Sequence, residues 1–160
     1  DSPSMLKTKL WKMEVVSNLY KPDVLRHDLA EFLAANIASE LWNSRLVIVA
    51  SELIANACNH RFDDYLLDVV VKLVFFHDKV RVQISIDDTS NLLIMQRYRN
   101  LSHAVAARKE HKPYKRIHGR GLEIVMHWTD EMRFSKKRAG GLRVVVMKTV
   151  PLHSDSTSYD

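Results

Sequence analysis

Hydrophobic and polar positions follow two different periods along this chain, and the changes between them mark its elements. Val80, Val82, Ile84 and Ile86 alternate with Arg81, Gln83, Ser85 and Asp87, the period-two pattern of a half-buried strand. Asp88 falls next in phase with the buried set, while Asp87 belongs to the opposite face. Upstream, Leu66 to Phe76 is apolar almost throughout, as suits a central strand covered on at least one face. His77-Asp78-Lys79 between them is a polar break of hairpin length. The period becomes helical from Arg45 to His60, where Leu46, Val49, Ala50, Leu53 and Ala57 recur on one face. Most other positions there are apolar too, which predicts a helix from about Ser44 to His60, buried on most sides, with Ser44 as its N-cap.

The remaining elements follow by the same reading. Lys7 to Val16 fits a first strand at a sheet edge. Pro22 and Asp23 mark a helix start, and Val24, Leu25, Leu29, Phe32 and Leu33 carry an amphipathic helix to about Ala38. His118-Gly119-Arg120-Gly121-Leu122 opens a helix to about Trp128, and Thr129–Ser135 with Leu142–Val150 forms a closing hairpin. Asn91 to His118 lacks periodicity apart from a short helix at Leu101–Ala107, and loops of this length are functional lids or disordered. The tail after Pro151 has nothing to pack and is predicted disordered. Hairpins with segregated helices predict an α+β fold: a two-layer α/β sandwich whose mixed, mostly antiparallel sheet is covered by helices on one face. Residues 1–150 form one domain with a lid at about 91–118, and 151–160 form the tail.

Composition narrows the class. The 160 residues are 46% hydrophobic and 27% charged, an ordinary soluble globular balance. Cys58 is the one cysteine, so no disulfide framework exists, and it reads as a small core residue in a cytoplasmic protein. No apolar run reaches the length of a membrane span, and the N-terminal segment lacks the apolar core of a signal peptide. The formal charge of +5 would suggest nucleic acid, but it is concentrated. Asn91 to Gly121 holds eight Lys/Arg against one acid, a local net of +7, so the rest of the chain carries −2. One basic segment suits a compact polyanion such as a triphosphate at least as well as a duplex, and argues against nucleic acid.

Candidate chemistry sits on the central helix. Glu52, Asn56 and Asn59 share one face, and a carboxylate on a mostly buried helix requires a cleft, a metal or water there. The alternative is a helix end emerging into solvent. Asp88, ending its strand, is either a turn-forming residue or a ligand contact. Gly119 and Gly121 at a helix start let an anion approach backbone N–H groups, although capping turns use glycine too. His111, His118 and His127 show no metal-ligand spacing with one another or with Cys58, which excludes a zinc site. His60 either caps the helix or orients Asn56. Trp11 and Trp128 read as core or interface aromatics, and Met126, Met132 and Met147 as core fill.

Taken in order, three stretches resemble a known family. Ser51-Glu52-Leu53-Ile54-Ala55-Asn56-Ala57-Cys58-Asn59-His60 looks like the N box of the GHKL (Bergerat-fold) ATPases, in the form used by anti-sigma-factor serine/threonine kinases. Ile86-Asp87-Asp88-Thr89-Ser90 occupies the place of that family's first glycine box, and Gly119-Arg120-Gly121-Leu122-Glu123-Ile124-Val125 is similar to its second. The likeness covers about Leu10 to Val150. It implies that Asn56 ligates the Mg²⁺ bridging the triphosphate of ATP and that Glu52 is the base for a serine or threonine hydroxyl. It further implies that Asp88 bonds the adenine amino group and that Gly119 and Gly121, with neighbouring Arg120 and Leu122, cradle phosphates. Strand phase favours Asp88 for the adenine contact; alignment to the glycine pattern favours Asp87. The first box departs from the family, with Ser90, Asn91 and Leu92 where glycine or proline is common.

The function so implied is an ATP-dependent protein serine/threonine kinase. It would phosphorylate a STAS-class antagonist and alternate between that partner and a sigma factor or other effector, with homodimerisation common in the family. The departures in the first box leave open a nucleotide-gated binding module with little or no kinase activity, or an ATP-binding domain of a larger signalling protein. A histidine-kinase domain would need a phospho-accepting helical hairpin that the sequence does not offer. A nucleic-acid binder would use the Arg97–Arg120 cluster.

Overall fold

A computed structural model of the protein describes residues 4–58, 66–88, 101–103, 105–107 and 121–153. Strand β1 spans Lys7–Val16 and leads through a 3-10 turn, Ser17–Leu19, into helix α1, Pro22–Asn36. Helix α2 covers Glu40–Ala57, and strands β2 and β3 cover Leu66–Phe75 and Lys79–Asp88. Helix α3 spans Gly121–Trp128, followed by β4, Glu131–Lys136, and β5, Leu142–Pro151. Residues 101–103 and 105–107 are also helical. Much of the predicted lid, together with Asn59, His60, Gly119 and Arg120, lies outside the described residues, as do Ser154–Asp160 of the tail.

The five strands run in the order β1-β2-β3-β5-β4, and every neighbouring pair is antiparallel. The predicted mixed sheet is therefore corrected. A crossover from β3 through α3 reaches β4, but β4 does not pair with β3. The second strand of the closing hairpin inserts between them, and that insertion removes the parallel pair.

Alternation decides which face the helices cover. Leu67, Val69, Val71, Leu73 and Phe75 of β2 and Val80, Val82, Ile84 and Ile86 of β3 are buried in one core with Leu25, Leu29 and Leu33 of α1. Helix α2 adds Leu46, Val49, Ala50, Leu53, Ile54 and Ala57, and α3 adds Leu122, Val125 and Met126. The other face of the sheet bears Lys72, Gln83 and Met147 in one row and Val70, Ser85 and Val145 in the next. Met147, predicted to be core, is thus half-buried on the helix-free face, because it pairs with Gln83 rather than with a residue of the inward set. Val24 is likewise no core residue: it is 58% exposed on the first turn of α1.

Two helix boundaries differ from the sequence reading. Helix α2 begins at Glu40, a turn before the predicted start, because Ser39 is the N-cap: the Trp42 N–H donates to Ser39 Oγ at 3.2 Å. The buried Trp42 extends the apolar stripe into that extra turn, while Ser44 is an exposed residue inside the helix. Helix α1 ends at Asn36, where the chain turns extended at Ile37 and buries that side chain in the core.

Candidate functional site

Strand register fixes which groups share an end of the molecule. Val16 pairs with Leu66, Leu67 with Asp88 and Asp88 with Leu142, so the end of β1, the start of β2, the end of β3 and the start of β5 line one edge. Tyr20, just past β1, reaches α2 at that edge, its hydroxyl 3.3 Å from Ser51 Oγ. The C-terminal half of α2 therefore lies over the end of the sheet that carries Asp88.

Helix α3 converges on the same place. The Arg45 guanidinium sits over the rings of both Trp42 and Trp128, at 5.0 and 5.2 Å. This contact sets the start of α2 beside the end of α3, and the two helices pack antiparallel. Seven residues on from Arg45 is Glu52, and seven back from Trp128 is Gly121, each step about 10 Å along its helix. Seven residues are close to two turns, so Glu52 lies on the same stripe as Arg45, the one turned toward α3, with Asn56 one turn further on. Glu52 and Asn56 are both half-buried, whereas Gly121 and Leu122 at the α3 start are buried. Arg45 is also a structural clamp between α2 and α3, since a cation over two indole faces is attractive even without a carboxylate.

The two aspartates of β3 part company as strand phase predicts. Asp88 faces the helices and is fully buried. Asp87 faces the other way, where Arg143 of β5 grips it with two bonds, Nε–Oδ1 at 2.6 Å and Nη2–Oδ2 at 2.9 Å. The hydrogen bond from Arg143 holds the Asp87 carboxyl below its ordinary range against the opposing effect of burial. Its carboxylate is engaged on the face without helices.

Sequence reading missed a cluster on the α1 side of α2. Buried Ser51 receives the Arg26 Nε–H at 3.3 Å and shares a hydrogen bond with Tyr20. Burial pushes the Tyr20 phenol above its usual value, with the Ser51 bond and the Arg26 charge opposing and the charges of Cys58 and Glu52 adding to the rise. No sequence motif marks Tyr20 or Arg26; only the fold brings them beside the residue that precedes Glu52.

At this end of the molecule a carboxylate and an amide stand one turn apart on a helix, opposite the start of another helix and above a buried aspartate. Such a set can hold a proton, offer an oxygen to a hard cation and meet an anion with backbone N–H groups. Among the described residues no group of three His, Cys, Asp or Glu gathers as a metal cage. No described helix is long and apolar enough to cross a membrane. Compared with known proteins, the chain matches no family model and no curated protein.

Proposed function

We propose that this chain is an ATP-dependent protein serine/threonine kinase of the anti-sigma-factor type, its α+β sandwich a Bergerat-type nucleotide fold. The observation that carries the reading is Glu52 and Asn56, one turn apart on the α3-facing stripe of α2, at the sheet end where Asp88 is buried. The resemblance of the boxes around these residues supplies the chemistry, and the fold is compatible with it.

In this reading Asp88 receives the adenine amino group, and the α3 start, from Gly119 and Arg120 through Gly121 and Leu122, meets the phosphates. Asn56 would hold Mg²⁺ through its side-chain amide oxygen, a hard donor of the kind such an ion takes. Bound Mg²⁺ supplies charge neutralisation on the triphosphate. The Glu52 carboxylate accepts the proton of a serine or threonine hydroxyl as that oxygen bonds to the γ-phosphorus. The bond from the γ-phosphorus to the bridging oxygen breaks and ADP leaves. Little further covalent chemistry is needed, because phosphoryl transfer is chiefly positioning and electrostatics.

The acceptor is a STAS-class antagonist, and the nucleotide state sets whether the kinase, as a homodimer in the cytoplasm, holds that antagonist or a sigma factor or other effector. Ser90, Asn91 and Leu92, standing where glycine or proline is common in the family, favour a second reading: a nucleotide-gated binding module without transfer. Transfer from γ-labelled ATP to a purified STAS-class protein separates the two. Glu52→Gln should keep nucleotide binding and lose about 10²–10⁴-fold in transfer rate, the usual contribution of a general base. Wild-type protein that binds ATP and labels no acceptor would leave only the gated module.

A further inference from the structure

Trp42 stands where three elements meet. The Arg45 guanidinium, one turn along α2, lies 5.0 Å from the centre of its ring and 5.2 Å from that of Trp128, the last residue of α3. Lys148 of β5 brings a second cation to Trp42, its Nζ 4.2 Å from the ring centre. The same Nζ donates to Asp130 Oδ1 at 3.2 Å, and the Thr149 N–H donates to Asp130 Oδ2 at 2.8 Å. The end of α3 is thus tied twice, to α2 through Arg45 and to β5 through Asp130, and both ties run to Trp42.

These ties differ in kind from the packing along the rest of α3. Leu122, Val125 and Met126 are buried in the core, and burial of apolar surface is non-directional. It keeps the helix against the sheet without choosing its height along α2. A guanidinium over indole faces does choose, because the attraction needs the cation over the ring within about 6 Å. Arg45 Nη1 is also buried, with no hydrogen-bond partner among the described residues. A buried donor without an acceptor costs stability, so an apolar side chain would serve packing there at least as well. Arginine at this place is explained by where it holds Trp128, not by what it adds to the core.

We propose that Arg45 is a positioning residue for the triphosphate. Arg45, Glu52 and Asn56 share one stripe of α2, so fixing Trp128 against Arg45 fixes the start of α3 opposite Glu52 and Asn56. The first-turn amides of α3 are thereby held at the height where phosphates bridge to the Asn56 side. The role rests on the nucleotide-binding reading and names a part of it that none of the three boxes contains. Two turns from Glu52, Arg45 acts through Trp128 and is no member of the reacting set.

Calorimetry with Mg-ATP and amide hydrogen exchange, both on the full chain, test the role together. First-turn amides of a helix have no intrahelical acceptor, so phosphates bound there slow their exchange. In wild-type protein, saturating Mg-ATP should slow exchange in the peptide that spans Gly121–Glu123. Arg45→Met should weaken Mg-ATP by about tenfold and lose that protection even at saturation. Its denaturation midpoint should move little, because removal of the unpartnered nitrogen offsets the lost ring contacts. Trp128→Leu should show the same two losses, and Arg45→Lys, which keeps a cation without the planar group, should fall between. Unchanged affinity in Arg45→Met, or weaker binding with the protection intact, would overturn the positioning role and leave Arg45 a structural clamp. Wild-type protein that binds Mg-ATP without protecting α3 would overturn it too, while the Asn56 assignment stands. Wild-type protein that binds no Mg-ATP would sink the nucleotide reading, and this role with it.

Discussion

Asp87 and Asp88 are neighbours in sequence and opposites in place. One residue of strand sends Asp88 under the helices and Asp87 to the opposite face, where Arg143 binds it. That difference was legible in the sequence, because Val80, Val82, Ile84 and Ile86 set the phase before either carboxylate is reached. Arg143 as the partner was not legible, since it depends on β5 lying beside β3. The pair gives a prediction with a definite sign. The folded Asp87 carboxyl titrates below its ordinary value, so its contribution to stability is present above the unfolded value and lost as pH falls through the folded one. Because the pair is part-exposed, Arg143→Ala should destabilise by only about 0.5–1 kcal/mol at neutral pH. Denaturant unfolding of both proteins should show that difference shrinking once pH drops below about 4, the ordinary aspartate range. A difference that grew in acid would contradict the assignment.

At the scale of elements, α2 organises the molecule. Its two flanks carry different duties: Ser51 faces α1 and Tyr20, while Arg45, Glu52 and Asn56 lie along the flank toward α3. Periodicity revealed the helix and its polar stripe but misplaced its start. Ser39 and Ser44 are both plausible caps by residue type, and only the hydrogen bond from Trp42 to Ser39 decides between them. Ser39→Ala should therefore cost about 1 kcal/mol of stability, the usual worth of an N-cap. Ser44→Ala, an exposed change inside the helix, should stay within about 0.5 kcal/mol of wild type. Thermal or denaturant unfolding of the two variants distinguishes them, and equal losses would place the helix start elsewhere. The edge strand β1 shows another element-scale feature: Lys7, Lys9 and Lys12 are exposed along it, and lysines on an edge discourage further strand pairing.

Across the whole molecule, the order of strands was the part hardest to read. A hairpin at the end of a chain can add to either side of its neighbour, and nothing local in β4 or β5 says that β5 goes inside. The result nevertheless leaves one end of the sheet carrying the ends of β1 and β3, the late half of α2 and the start of α3. The described parts of the boxes noticed in the sequence, Ser51 to Cys58, Ile86 to Asp88 and Gly121 to Val125, meet there. Tyr20 and Arg26 join them only through tertiary contact, which explains why no spacing rule found them. The central claim is that this end binds Mg-ATP through Asn56. Isothermal titration of the full chain with ATP in the presence of Mg²⁺ tests it most directly. Saturable one-site binding that requires Mg²⁺ and weakens at least about tenfold in Asn56→Ala, equivalent to 1.4 kcal/mol, is the predicted result. No binding by the wild-type protein, or equal binding by Asn56→Ala, would contradict it.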